Sequence, residues 1–144
     1  MNIRILKTLS SFFLFIFLSN ELLADQGISS DQVLIGMHTD ISGPASMIGK
    51  QSLDGANMRF NEFNENGGAF GRTIKLIVED HQYTVPRAVQ AANKLLRKDK
   101  VAFMMGALGT PMNNAVMTDQ VAMNVPNLFP LTAPRSMFDP FDRL

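Results

Sequence analysis

Four short apolar runs, separated by stretches of helical periodicity, restrict what this chain can fold into. Residues 32–37 (QVLIGM) are apolar and rich in branched side chains, the pattern of a buried strand. A loop over 38–44 (HTDISGP) follows, marked by its Gly-Pro pair and polar residues. From about Met47, Leu53, Ala56, Phe60 and Phe63 recur at helical spacing and make one apolar face. Asn66-Gly67-Gly68 stops that helix, because glycine supplies the left-handed conformation of a helix C-terminus. Residues 73–79 (TIKLIVE) predict a second strand, and 80–83 a loop. Thr84 fits an N-cap and Pro86 a first helical turn, where a missing N–H costs nothing. Ala88, Ala91, Ala92, Leu95 and Leu96 form the buried face of this second helix. Residues 101–105 (VAFMM) predict a third strand ended by Gly106, a third helix runs from Pro111 or Met112 to Met123, and 126–129 predict a short fourth strand. Pro130, Pro134 and Pro140 keep the remainder out of helix.

The order β-α-β-α-β-α-β implies right-handed crossovers. The expected fold class is α/β: an open, mostly parallel, Rossmann-like sheet with helices on both faces. In such a sheet ligands bind beyond the carboxyl ends of the strands. That gathers four loops on one side: 39–49, 80–83, 106–113 and 131–135.

The front end differs from this body. Arg4 and Lys7 precede the apolar run FFLFIFL at 12–18, and a short polar stretch leads to Leu22-Leu23-Ala24. A basic region, a short apolar region and a small residue at the break make residues 1–24 a secretory signal peptide, with Asp25 as the expected mature N-terminus. Leu22 is larger than the position prefers. A membrane anchor is the alternative, but a spanning helix needs about 20 apolar residues and this run is far shorter, so no stable membrane insertion is expected after cleavage. Residues 25–144 are one domain's worth of chain. They carry 11 basic and 12 acidic residues, so no basic excess invites nucleic acid. Lys94, Arg97, Lys98 and Lys100 cluster where they favour the negative end of a helix dipole. The absence of Cys removes disulfides, thiolate metal sites and a lipid-modified N-terminal Cys.

The ordered set Asp40-Ile41-Ser42-Gly43-Pro44-Ala45, Gly49, Gly55-Ala56, Asn66-Gly67-Gly68 and Glu79-Asp80 resembles the opening of a type 1 periplasmic solute-binding protein. That family comprises receptors of ABC importers for branched-chain amino acids, and its members also bind other amino acids, amides, urea and aromatic acids. Residues 86–94 (PRAVQAANK) are similar to its second helix, 106–110 (GALGT) to its third-strand loop and 125–133 (VPNLFPLTA) to its fourth-strand loop. The resemblance implies two such lobes closing on a small-molecule solute, periplasmic localisation after export, and a membrane permease as partner. Such proteins are more than twice as long as this chain. The expectation is therefore a truncated N-terminal lobe, poorly stable alone because an apolar face of the sheet stays uncovered.

The resemblance makes Thr110 the hydroxyl donor to a ligand carboxylate, with the backbone of Leu108 or Gly109 assisting at a helix N-terminus. Pro111 offers no N–H. Thr110 has a second reading, as a simple helix cap. Thr132 and Ala133 fall where the family offers a hydroxyl and backbone groups. Arg135 has two readings: a two-pronged bond to a ligand carboxylate, or a surface pair with Asp139. Ser46 and Ile48 belong to the loop that forms the pocket rim, and Ser42 fits a role in its own turn. His81 and His38, the only histidines, end strands on the ligand side, so His81 joins the binding candidates, with loop hydrogen bonding near the cleft as the favoured role of Asp80 and His81.

Catalytic and cofactor readings are weaker. Two His with Asp40 and Asp80 on separate loops fall short of a supported zinc set. G-x-S-x-G, G-x-G-x-x-G and G-x-x-x-x-G-K-[ST] are all absent, which disfavours a nucleophile elbow and nucleotide binding. No cofactor and no catalytic residue are assigned. Two alternatives to a transport receptor remain open: the ligand-binding ectodomain of a sensor, and a secreted α/β enzyme using Asp40, Asp80 and His81.

Overall fold

The structure, a computed structural model, describes residues 26–132, 135–137 and 139. Strand β1 is Gln32–Thr39, helix α1 Ser46–Glu65, β2 Thr73–Asp80, α2 Val85–Asn93, β3 Phe103–Met105, α3 Thr110–Ala122 and β4 Asn127–Leu128. The strands lie in the order β2-β1-β3-β4, and every pairing is parallel. The α/β class and parallel sheet read from the sequence are therefore present.

β1 is central, and five successive residues at its carboxyl end are buried. A strand covered on both faces needs apolar residues at every position rather than alternation, which the run QVLIGM supplies. β1 is two residues longer than its apolar run. His38 and Thr39 stay in strand because the backbone of β2 continues beside them, pairing with Glu79 and Asp80. Backbone pairing, not side-chain polarity, sets where this strand ends.

The main core lies under α2 and α3. Ala92, Leu95, Leu96, Val101, Met104, Val116 and Val125 form one buried cluster, with Leu34, Ile77, Val89 and Met123 packed against it. Gly36 of β1 faces Leu95 and Val101, while its neighbour Thr39 lies against Gly49 of α1, so the helices occupy both faces. The α1 face is thinner. Leu53, Phe60 and Phe63 are half-buried, and Met47, Ile48 and Met58 are exposed.

α2 does not stop at Asn93 but runs into a π-helical turn, Lys94–Lys98. The Asp99 N–H donates back to the Lys94 carbonyl at 2.9 Å, and that of Val101 to Leu95 at 3.1 Å. Val101 is thereby held by the turn, and β3 begins only at Phe103. Lys94 bonds Glu79 at 2.6 Å and Asp99 at 2.9 Å, and Arg97 reaches Asp119 at 3.5 Å. These two basic residues are committed to neighbours in the fold. Glu79, then Asp99, hold the Lys94 ammonium above its ordinary pKa.

Candidate functional site

The site grows from the carboxyl ends of the strands. β1 and β2 end together on Thr39 and Asp80, and β3–β4 pairing continues as a parallel bridge between Leu108 and Leu131. Adjacent strand ends therefore bring the loops into register.

Two carboxylates build the first wall. Asp40 accepts the Gly43 N–H at 2.5 Å and the Ala45 N–H at 2.7 Å, folding the turn that leads into α1. Asp80 accepts from the Ile41 N–H at 3.1 Å, the Ser42 hydroxyl at 2.5 Å and the Gln82 N–H at 3.0 Å. Burial raises the Asp80 carboxyl, but the bonds from Ser42, Ile41 and Gln82 outweigh it and leave the pKa below its ordinary value. Both groups are occupied with loop construction. Among the described residues no group of three or more His, Asp or Glu is placed to hold a metal ion.

His81 takes the loop hydrogen-bonding role expected of it rather than the ligand contact. It is fully buried, not on the ligand-facing surface. Its Nδ1 accepts the Tyr83 N–H at 3.0 Å, which fixes the proton on Nε2, and Nε2–H donates to the Leu108 carbonyl at 3.0 Å. Both ring nitrogens are spent inside the loop cluster. Burial lowers its pKa, partly offset by the Leu108 bond and by Asp40 and Asp80. His38 lies beside it, with ring centroids 5.5 Å apart, and both of its buried ring nitrogens lack a partner. Burial, then the charge of His81, pushes its pKa to about 3.

The backbone donors expected of Leu108 and Gly109 are also engaged. The Leu108 N–H bonds the His38 carbonyl at 3.2 Å, and the Gly109 N–H bonds the Leu131 carbonyl at 3.3 Å. They shape the loop and are not free for a solute. Gly109 is the N-cap of α3 with φ +96°, a conformation that disfavours a side chain.

Thr110 therefore sits one residue inside the helix, and no side-chain cap bond is made there. The capping reading fails because Gly109 takes that position. The Thr110 hydroxyl instead meets the Thr132 hydroxyl at 2.6 Å. Each hydroxyl has one proton, so when one donates to the other, the second proton remains to serve an outside acceptor. The N–H groups of Thr110 and Met112 add to this, since no earlier carbonyl of the helix can accept them.

Of the other candidates, Ser46 and Ile48 stand in the first turn of α1, Ser46 half-buried and Ile48 exposed. Arg135 pairs with Asp139 at 2.7 Å on the surface, the second of its two readings. Ala133 lies outside the described residues. A shallow cavity of about 340 Å³ beside Gln26, Gln32 and Asp99 lies at the amino end of the sheet, away from this cluster.

A family model described as periplasmic binding protein matches residues 32–136. The chain belongs to the periplasmic binding protein family. Its similarity to the Leu/Ile/Val-binding protein BraC3 of Rhizobium johnstonii is 28% identity over 108 residues, covering 72% of this chain and 29% of that protein. A solved substrate-binding periplasmic protein from Ralstonia solanacearum superposes with TM-score 0.70 at 25% identity, covering 74% of this chain and 31% of the other. A fatty acid ABC transporter substrate-binding protein from Thermomonospora curvata gives 0.65 at 26%, covering 75% and 28%. The chain thus spans under a third of the length of these relatives.

This periplasmic binding protein chain also uses residues that sequence reasoning passed over. Asn113, fully buried, donates to the carbonyls of Ala107 at 3.1 Å and Gly109 at 2.8 Å, and accepts from Asn127 at 2.8 Å. It braces the GALGT turn from beneath. Its spacing of four from Gly109 was the available signal. Tyr83 is another: at φ +54° its ring approaches Gly109, where an added Cβ would meet it at 3.2 Å.

Proposed function

We propose that residues 25–144 act as the first lobe of a two-lobed receptor that captures a small carboxylate-bearing solute, of branched-chain amino acid type, for an ABC importer. In this reading residues 1–24 direct export and are removed, the mature lobe works in the periplasm, and a membrane permease receives the solute. The role is capture without turnover.

The observation that carries this reading is the Thr110–Thr132 hydroxyl pair at 2.6 Å, uncapped, at the first turn of α3 and the carboxyl edge of the sheet. One spare hydroxyl proton, two unfilled helix N–H groups and the positive end of a helix dipole suit a carboxylate oxygen. Membership of the periplasmic binding protein family and likeness to BraC3 support an amino acid as the solute.

Calorimetric titration of the chain with leucine, isoleucine, valine, their amides and a short fatty acid tests it. The expected outcome is preference for free carboxylates, with Thr110→Ala weakening binding by about tenfold, the value of one charge-assisted hydrogen bond. Equal binding of amides and acids, or an unaltered affinity in Thr110→Ala, overturns the assignment. Absence of binding by a chain that melts cooperatively does so too.

A further inference from the structure

We propose that His81 is a positioning residue whose neutral ring ties the Tyr83 turn to the candidate binding loop at Leu108, and that one proton added at Nδ1 releases the Tyr83 turn. The proposal rests on the solute-capture reading only for its consequence for affinity; the strut itself stands on geometry.

The ring bridges two loops. Nε2–H supports the Leu108 carbonyl from below, while Nδ1 takes the Tyr83 N–H. Leu108 is gripped from its other side by the His38 carbonyl, and two residues later the chain reaches Thr110. Gln82 and Tyr83 both occupy left-handed backbone, at φ +50° and +54°. Non-glycine residues hold that conformation only where surroundings impose it. Here four bonds impose it: Gln82 N–H to Asp80, Tyr83 N–H to Nδ1, and the Thr84 N–H and hydroxyl to the His81 carbonyl.

A proton at Nδ1 places N–H against the N–H of Tyr83, so that bond cannot survive. Tyr83 then loses the bond its own N–H makes, which frees its ring to leave Gly109, the N-cap of α3, while the Thr84 bonds and the Nε2–H bond to Leu108 persist. The charged and titratable groups acting on His81 are Asp40 and Asp80, which favour the proton, Tyr83, and His38, which lies 5.5 Å away and disfavours a second cation. Burial keeps the ring neutral at neutral pH, so release belongs to acidification.

Nitrogen-15 NMR of the histidines and amide exchange of the chain test this without any solute. The expected result is an Nε2–H tautomer at pH 7.5. As His81 titrates, the protection of the Tyr83 amide falls by up to about tenfold per pH unit, while Leu108, whose carbonyl keeps the Nε2–H and whose N–H bonds His38, stays protected. His81→Gln cannot titrate there, so its protection at the Tyr83 amide stays flat. An Nδ1–H tautomer in the parent overturns the proposal whether or not the variant folds. An acid response in His81→Gln equal to the parent's also overturns it. Isoleucine titration at pH 7.5 and 5.5 separates the two readings. A Tyr83 amide that follows the His81 titration without isoleucine binding leaves the strut and removes the solute, while isoleucine binding with a Tyr83 amide that ignores that titration removes the strut.

Discussion

Asp80 accepts the hydroxyl of Ser42 at 2.5 Å across 38 residues of sequence. The same carboxylate takes the Ile41 and Gln82 N–H groups, so a single side chain ties the loop after β1 to the loop after β2. Asp80→Ala leaves three donors to find other partners and is expected to cost about 2 kcal/mol at pH 7, with Asp80→Asn costing less because it keeps one acceptor. The native pKa is lowered, so this stability is fully present above the ordinary carboxylate value and is lost as pH falls through the native one. Urea titrations of parent and Asp80→Ala are therefore expected to differ at pH 7 and to converge as pH falls below the native carboxyl's lowered pKa.

His38 predicts an acid sensitivity of another origin. The unfolded ring takes a proton near pH 6.5, whereas the folded ring resists one down to about 3. Between those values the unfolded state binds more protons, so stability falls as pH falls, by up to about 1.4 kcal/mol per pH unit. His38→Leu removes two buried nitrogens that have no partner. It is expected to be neutral or stabilising at pH 7 and to flatten the slope between pH 6.5 and 4, leaving the part due to His81. Thermal melts across that range check both.

The architecture was legible because burial on two faces leaves a visible mark. QVLIGM needs no partner to announce a central strand, and Ala88, Ala91, Ala92, Leu95 and Leu96 are buried as their spacing required. What sequence could not give was the allocation of hydrogen bonds. His81 reads as a polar residue at a strand end, yet its ring faces inward because Leu108 and Tyr83 supply partners from loops distant in sequence. Thr110 reads equally as a helix cap or a ligand donor, and Gly109 takes the cap position and leaves the hydroxyl to Thr132. The π-helical turn at Lys94–Lys98 likewise coincides with Lys94 reaching Glu79 of β2, a partner distant in sequence. Each outcome goes with a contact that periodicity does not encode.

Asn113 is the brace beneath the GALGT turn, and its removal is expected to cost more than its size suggests. Asn113→Ala removes three bonds at once: the side-chain donors to the Ala107 and Gly109 carbonyls, which keep only the Leu131 N–H and the residue-113 N–H, and the acceptor of the half-buried Asn127 amide. A loss of about 3 kcal/mol is expected in urea unfolding. Asn113→Asp keeps the shape but turns an oxygen toward two carbonyls, so it should be at least as damaging. If the brace also sets Thr110, any solute binding is weakened in a chain still folded at low temperature, which calorimetry at 10 °C would read.

Two glycines of α1 make opposite predictions from the same substitution. At Gly49 an added Cβ would sit 1.9 Å from the Asp40 carbonyl oxygen, and 3.0 Å from Thr39 Oγ1. The obstacle is backbone, which cannot rotate aside, so Gly49→Ala must push α1 away from the loop that Asp40 folds. A loss of about 3 kcal/mol is expected. At Gly55 nothing lies within 4 Å of such a Cβ. Gly55→Ala only removes freedom from the unfolded chain and is expected to stabilise by about 0.5–1 kcal/mol. Chemical unfolding of the two variants side by side tests the packing directly. If Gly49→Ala is as benign as Gly55→Ala, α1 does not press on the Asp40 turn, and the candidate rim at Ser46 and Ile48 is not fixed by it. If the two diverge as stated, the tight approach of α1 to Asp40 is what holds the candidate rim in place.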